Sequence, residues 1–275
     1  VIYLDSLFSE CSSLESLDLS HLDFSNSKVT SISGMFYGCS SLTSINLSKF
    51  RTNKMTSFSR LFAGCSSLTQ IDISSFDTSN VSQVSQMFDG CTSLTSIDLS
   101  KFITNSFKDT SYMFRNCLKL TSLDLSNFKE MPNLGYMASM FEGCKSLEYL
   151  NINNLRTNSA YNLNSLFKGC EKLKEINLKF DTSSVTTMEH MFDSCLSLTS
   201  LDLKRIDTKS NKRFGYMFNN CQKLEKLDLS NFYTNLANDM SYMFSGCSSL
   251  TEINLNSFDT QSVLTMNSDR KSTRL

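Results

Sequence analysis

The amino-acid sequence predicts an α/β solenoid. About ten repeats of 25–28 residues, each a short strand, a turn and a short helix, stack side by side around one parallel sheet. Three observations carry this. The ten cysteines, Cys11, Cys39, Cys65, Cys91, Cys117, Cys144, Cys170, Cys195, Cys221 and Cys247, recur in register, and none falls outside it. A Phe lies three residues before each of them, from Phe8 and Phe36 to Phe244, and a Leu lies three residues after. Leu or Ile then recurs six and eight residues after each Cys, as in Leu17/Leu19, Ile71/Ile73 and Leu227/Leu229. Self-similarity at a fixed period fixes the architecture before any single motif does.

Each element follows from its own pattern. Ile32, Met35, Phe36 and Cys39 occupy the i, i+3, i+4, i+7 positions of one helix face, which predicts a short helix ending at the Cys. The residue before the Cys is Gly in six repeats (Gly38, Gly64, Gly90, Gly143, Gly169, Gly246) and Asn in two (Asn116, Asn220), residue types that accept positive φ at a helix stop. In "SSLTSINLS", Ile45 and Leu47 alternate with Ser44, Asn46 and Ser48, the period-two signature of a strand with one buried face. Turn residues such as those of "FDTSNV" lead to the next helix. One such unit cannot bury its own apolar stripe, but ten stacked units can. At about 4.8 Å per strand the sheet would run roughly 45 Å.

Composition narrows the function classes. Lys plus Arg is 26 and Asp plus Glu is 27, so the net charge is −1 and nothing draws the chain to nucleic acid or an anionic membrane. No run of eighteen apolar residues suits a membrane span. Val1 already lies inside patterned sequence, so residues 1–268 read as one solenoid with both natural ends missing. The last seven residues, "DRKSTRL" (269–275), break the repeat and read as a non-native tail, since the same letters arise by translating a common sequencing-library adapter. The rival is a genuine basic tail whose "TRL" imitates a PDZ-binding terminus.

The repeat register also disposes of most catalytic readings. Ten equivalent cysteines are not ten nucleophiles. They read as a ladder of small buried thiols, because side chains stacked in parallel point the same way and not at one another, as a disulfide needs. No Cys-x-x-Cys pair exists, and His21 and His190 sit in unrelated repeat positions and read as surface residues, so no zinc site is predicted. No cofactor is expected, and an enzyme is the weakest reading.

Two polar features remain. Seven residues after each Cys runs a row of Asp18, Asn46, Asp72, Asp98, Asp124, Asn151, Asn177, Asp202, Asp228 and Asn254. It could be a calcium track, but it lacks the oxygens of a closed site. A hydrogen-bonding ladder to neighbouring Ser, Asn and backbone, with modestly raised carboxyl pKa values, is the favoured reading. The exposed strand face carries mostly Ser and Thr in repeats two to five, such as Thr43, Ser44, Thr95, Ser96, Thr121 and Ser122. In repeats six to nine it changes to Glu148, Tyr149, Lys174, Glu175, Lys179, Lys204, Glu225 and Lys226, the candidate partner-binding face. A one-residue deletion places Phe180 ten, not eleven, residues after its Cys beside this patch. Sequons stand at Asn46 and Asn80 and matter only in a eukaryotic secretory pathway.

The order Leu-x-x-Leu-x-Leu, as in "LTSLDL" (120–125), and the fuller pattern around "MFDGCTSLTSIDLS" (87–100) resemble the BspA-like leucine-rich repeat surface proteins. These are bacterial repeats of unknown function common in mycoplasma, lactobacilli and listeria, with relatives in some protists. The resemblance covers nearly the whole chain. It implies extracellular display at the cell surface and adhesion to a protein or glycan on host or neighbouring cells, and it carries over no catalytic residue. A passive spacer in a larger surface protein and an intracellular leucine-rich-repeat scaffold are the alternatives.

Overall fold

A computed structural model describes residues 4–24, 27–156 and 159–267. The tail at 269–275 lies outside them. The strands fall where the period-two pattern put them. They are β1 (Ser16–Asp18), β2 (Ser44–Asn46), β3 (Ser122–Asp124), β4 (Tyr149–Asn151), β5 (Lys226–Asp228) and β6 (Glu252–Asn254). They pair in parallel as β1–β2, β3–β4 and β5–β6, with Leu17 opposite Ile45, Leu123 opposite Leu150 and Leu227 opposite Ile253. The parallel sheet is therefore three two-stranded pieces along one line. Repeats between the pairs hold that line with single contacts, such as the Asn177–Asp202 bridge and the Thr95 N–H donating to the Thr69 carbonyl at 3.1 Å.

The predicted short helices are absent: among the described residues there is no helix. The stripe correctly marks what is buried, since Ile32, Met35, Phe36 and Cys39 are all fully enclosed. The backbone beneath it is different. Residues five and one before each Cys have positive φ: Gly34 (60°) and Gly38 (70°), Arg60 (58°) and Gly64 (77°), Tyr112 (61°) and Asn116 (59°), His190 (57°) and Ser194 (61°). A right-handed helix cannot pass through two such residues in five. The chain instead makes successive turns in which alternate N–H groups bond within the repeat and across to the next. Met35, Tyr37 and Cys39 donate three residues back, to Ile32, Gly34 and Phe36. Gly34, Phe36 and Gly38 donate to the Ser59, Leu61 and Ala63 carbonyls of the following repeat, at 2.8, 3.0 and 2.7 Å. Each non-glycine in this conformation costs about 1 kcal/mol, and the inter-repeat bonds offset it.

A further parallel ladder runs eight residues before the Cys in repeats two to ten and on to Thr265. Single bridges link Ser31, Ser57, Gln83, Asp109, Tyr136, Asn162, Thr187, Arg213, Asp239 and Thr265 in succession. Neighbouring repeats are thus stitched along this ladder and the turn segment, and along the strand edge where the strands pair or make the single contacts above.

The enclosed space is filled by columns. Phe8, Phe36, Phe62, Phe88, Phe114, Phe141, Phe167, Phe192, Phe218 and Phe244 form one stack, with centroids 5.4 Å (Phe36–Phe62) to 6.2 Å (Phe114–Phe141) apart and planes within 17° of parallel. The residues after the strand, including Phe50, Phe128 and Phe232, form a second buried row. Phe180 stays in that row at 2% exposure despite the deletion, and Lys179 beside it remains outside.

Candidate functional site: the strand face

The strand side of the solenoid presents two side chains per repeat outward, on either side of one apolar residue that turns in. In β4, Tyr149 and Asn151 flank buried Leu150, and in β5, Lys226 and Asp228 flank buried Leu227. All eight residues expected on this face, Glu148, Tyr149, Lys174, Glu175, Lys179, Lys204, Glu225 and Lys226, are exposed. They are not all equivalent. Tyr149, Glu175 and Lys226 hold the fifth position after the Cys, with Ser122 paired to Tyr149 and Glu252 to Lys226. Glu148, Lys174 and Glu225 hold the fourth. Lys179 and Lys204 lie four residues further on, where the strand has turned, and the Lys204 N–H donates to Asp202 Oδ1 at 3.1 Å.

Charges on the face are partly paired. Lys226 Nζ lies 2.8 Å from Glu252 Oε2, and Lys172 Nζ lies 3.4 Å from Glu148 Oε1. Two open hollows flank Ser200. One, about 420 Å³, is lined by Tyr149, Leu150, Glu175, Ile176 and Asp202; the other, about 470 Å³, by Asp202, Lys204, Lys226, Leu227 and Glu252. Tyr149 is 56% exposed at the rim of the first.

The Asp/Asn row is a set of backbone caps. Asp18, Asp72, Asp98, Asp124 and Asp228 each accept the N–H two residues on, at Ser20, Ser74, Ser100, Ser126 and Ser230, and Asn46, Asn151 and Asn254 do the same. The modest upward pKa shift expected for the row is wrong in sign at Asp18, Asp72, Asp98 and Asp228. The serine hydrogen bonds hold the carboxyls of Asp18, Asp72, Asp98 and Asp228 below the usual range and outweigh desolvation, and outweigh the repulsion of Asp98 at Asp72. Among the described residues no group of three or more His, Cys, Asp or Glu is placed to hold a metal ion.

Nine of the ten thiols are buried, and the expected inward stripe fails only at Cys11, which is exposed. Each buried thiol donates to the carbonyl of the Phe one repeat back, as Cys65 does to Phe36 and Cys170 to Phe141, both at 3.2 Å. Burial pushes Cys65 and Cys144 up to about 12. His21 is exposed, as expected. His190 is more engaged than a surface residue: its Nδ1 lies 2.8 Å from Asp193 Oδ2, and its ring stacks on Tyr216 at 4.6 Å. Asp193 is largely buried, which opposes ionisation, yet bonds from His190, Asn219 and Ser194 hold its carboxyl below the usual range.

Sequence reasoning missed a second capping device. Thr52, Thr78, Thr182, Thr208 and Thr234 are buried, and each hydroxyl makes a two-way clamp to one residue of the next repeat. Thr78 Oγ1 donates to the Ile103 carbonyl at 2.9 Å and accepts the Ile103 N–H at 2.7 Å. Its signal, a Thr twelve or thirteen residues after the Cys, was present in the letters.

Comparison with known proteins bears on this arrangement. The family described as "Mycoplasma protein of unknown function, DUF285" matches residues 2–128, 135–250 and 176–273. No curated protein matches. Similar solved structures include a Treponema pallidum leucine-rich repeat protein, 26% identical, covering 63% of this chain and 72% of its own, with a TM-score of 0.43. A leucine-rich cell surface protein of Faecalibacterium prausnitzii is 18% identical over 91% of this chain and 75% of its own, with a TM-score of 0.45. A Listeria monocytogenes internalin is 17% identical over 89% of this chain and 87% of its own, with a TM-score of 0.26.

Proposed function

The chain belongs to the DUF285 family of leucine-rich repeat proteins of the BspA-like kind, and from that premise we propose that it is a non-enzymatic binding protein of the cell surface. Its strand face contacts a protein or glycan partner on a host or neighbouring cell. One observation carries the reading: side chains able to anchor a partner, Tyr149, Glu175, Lys204 and Lys226 among them, are concentrated and exposed on one face of repeats six to nine, against a Ser/Thr background in repeats two to five. Aromatic and long charged residues around open hollows are where interface energy gathers. The ladder and turn-segment bonds between repeats hold that face in place, so binding loses little conformational entropy and weak contacts add along it.

The test is a triple variant, Tyr149→Ala, Lys204→Ala and Lys226→Ala, assayed for attachment to cells and extracellular matrix. All three residues are exposed, so folding should be untouched. Loss of attachment supports the binding role. Attachment by neither wild type nor variant would favour a passive spacer, and equal attachment by both would move the binding surface elsewhere.

A further inference from the structure

Resting on the reading of the strand face as the binding surface, we propose that its partner is a second copy of this chain. The face of repeats six to ten docks on the same face of the other copy about a twofold axis running along the strand direction through Ser200.

The argument starts from the order of charges. At the fourth and fifth positions after the Cys, repeat seven carries Lys174 and Glu175, repeat eight carries Thr199 and Ser200, and repeat nine carries Glu225 and Lys226. The signs invert across an uncharged middle. The Asn177–Asp202 bridge keeps repeats seven and eight in register. A twofold axis along the strands reverses the order of repeats and leaves the position within each repeat unchanged. It therefore sets Lys174 opposite Glu225 of the second copy and Glu175 opposite Lys226 of the second copy, and each contact occurs twice, as an isologous interface demands. Among the described residues, Lys174, Glu175 and Glu225 make no ion pair within the chain, and Lys226 would share its charge with Glu252, 2.8 Å away. An axis along the solenoid would leave the inversion unused.

Shape agrees with charge. The two hollows lie on either side of Ser200 and share Asp202 in their linings, and they are of similar size, about 420 and 470 Å³. The proposed axis exchanges them. It carries exposed Tyr149 of one copy toward the hollow that Glu252 lines in the other. Ser200 and Thr199 are exposed and small, so the middle repeats can approach closely. Three terms oppose. Lys172 and Lys223 come opposite, with Lys172 paired to Glu148 at 3.4 Å. On the axis Asp202 meets Asp202 of the second copy and Lys204 meets Lys204 of the second copy, where each is two residues from a charge of the other sign. Five repeats at about 4.8 Å, each presenting about 17 Å of strand, give a footprint of roughly 400 Å² per copy. That is at the small end for specific association, so the pair should be weak, micromolar or weaker, and salt-sensitive, suited to many-fold contact between displayed copies.

Sedimentation of the full chain over a concentration series tests this directly. Wild type should show a monomer–dimer equilibrium weakened about tenfold between low and high salt. Lys174→Glu and Glu225→Lys, each alone, should weaken self-association tenfold or more by opposing like charges. Their equimolar mixture should associate nearly as wild type, because in the mixed pair both contacts are again between opposite charges. A wild type that stays monomeric throughout, variants that dimerise unchanged, or a mixture that fails to associate would each overturn the proposal. Attachment of the monomeric Lys174→Glu chain to cells is measured alongside. Undiminished attachment would overturn the homophilic partner while leaving the binding role of the face intact, and lost attachment would support it.

Discussion

Cys91 Sγ donates to the carbonyl oxygen of Phe62, 3.2 Å away and one repeat back. The thiol is fully buried, and desolvation, with the neighbouring Cys65 adding to it, pushes its pKa well above the usual thiol value. The same holds at Cys117, Cys170 and Cys195. Only a thiolate attacks a disulfide or a maleimide at an appreciable rate. Titration of the folded protein with an aromatic disulfide reagent at pH 8 should therefore release one equivalent quickly, from Cys11, and the other nine only with unfolding by guanidinium. Cys11→Ser should remove the fast phase and leave the slow one. Several fast equivalents in the folded wild type would contradict the buried ladder.

The threonine clamps predict a local loss of protection. Thr208 Oγ1 donates to the Tyr233 carbonyl at 3.0 Å and accepts the Tyr233 N–H at 2.8 Å. Thr208→Val keeps the shape and strands both backbone groups, at a cost of about 1–2 kcal/mol. Hydrogen exchange should report a Tyr233 amide that opens about ten times faster or more. Thr208→Ser, which retains the hydroxyl, should keep most of the protection.

The aspartate row sets an acid limit. A carboxyl whose folded pKa is depressed stabilises the chain above the unfolded value of 3.8 and loses that contribution as pH falls through the folded value. At Asp72 and Asp98 the cause is the hydrogen bonds from Ser74 and Ser100. The urea midpoint should thus be flat from pH 7 to about 5 and fall below 3.8. Asp72→Asn with Asp98→Asn should flatten part of that fall, since Asn46, Asn151 and Asn254 make the same cap with no proton to gain. A wild-type midpoint that rises on acidification would refute the sign.

These three predictions mark what was legible in the letters and what was not. Burial was legible, because side-chain periodicity reports the apolar face whichever backbone lies beneath it. Ile32, Met35, Phe36 and Cys39 are enclosed as read. The backbone was not, because three bonded turns with positive φ at two positions bury the same i, i+3, i+4, i+7 set as a helix. Gly38 hinted at positive φ, but at the other position Arg60, Gln86, Tyr112 and Ser165 adopt it against their own preference. That preference is overruled by hydrogen bonds to the next repeat, which no local rule sees. Exposure of Tyr149 and Lys226 followed from alternation alone, whereas the Lys226–Glu252 ion pair and the hollows beside Ser200 depend on how neighbouring repeats stack. The aspartate pKa sign was missed because the row was weighed as neighbouring charges, when the nearer partner of each carboxyl is the N–H two residues on in its own repeat.

Asn211 breaks the repeat's own rule in the core, and it gives the sharpest stability prediction. Ten residues before the Cys in repeats two to eight and ten stands a buried apolar side chain: Val29, Met55, Val81, Phe107, Leu134, Ala160, Val185 and Ala237. In repeat nine the position is Asn211, at 0% exposure. Its Nδ2 donates to the Arg213 carbonyl at 3.1 Å, but Oδ1 is buried with no partner. A buried acceptor without a donor costs about 1–3 kcal/mol relative to hydration. Asn211→Val restores the residue found at the same place in repeats two, four and eight, with similar volume. It does not orphan the Arg213 carbonyl, which also accepts the Met188 N–H at 3.1 Å. Asn211→Val should therefore stabilise repeats eight to ten by about 1–2 kcal/mol, read as a higher urea midpoint and slower exchange of the Met188 and Phe214 amides. Asn211→Asp, which would bury a charge at the same atom, should move both measurements the opposite way. A destabilised valine variant would mean that Oδ1 has a partner in solution, and that the asparagine is kept for it.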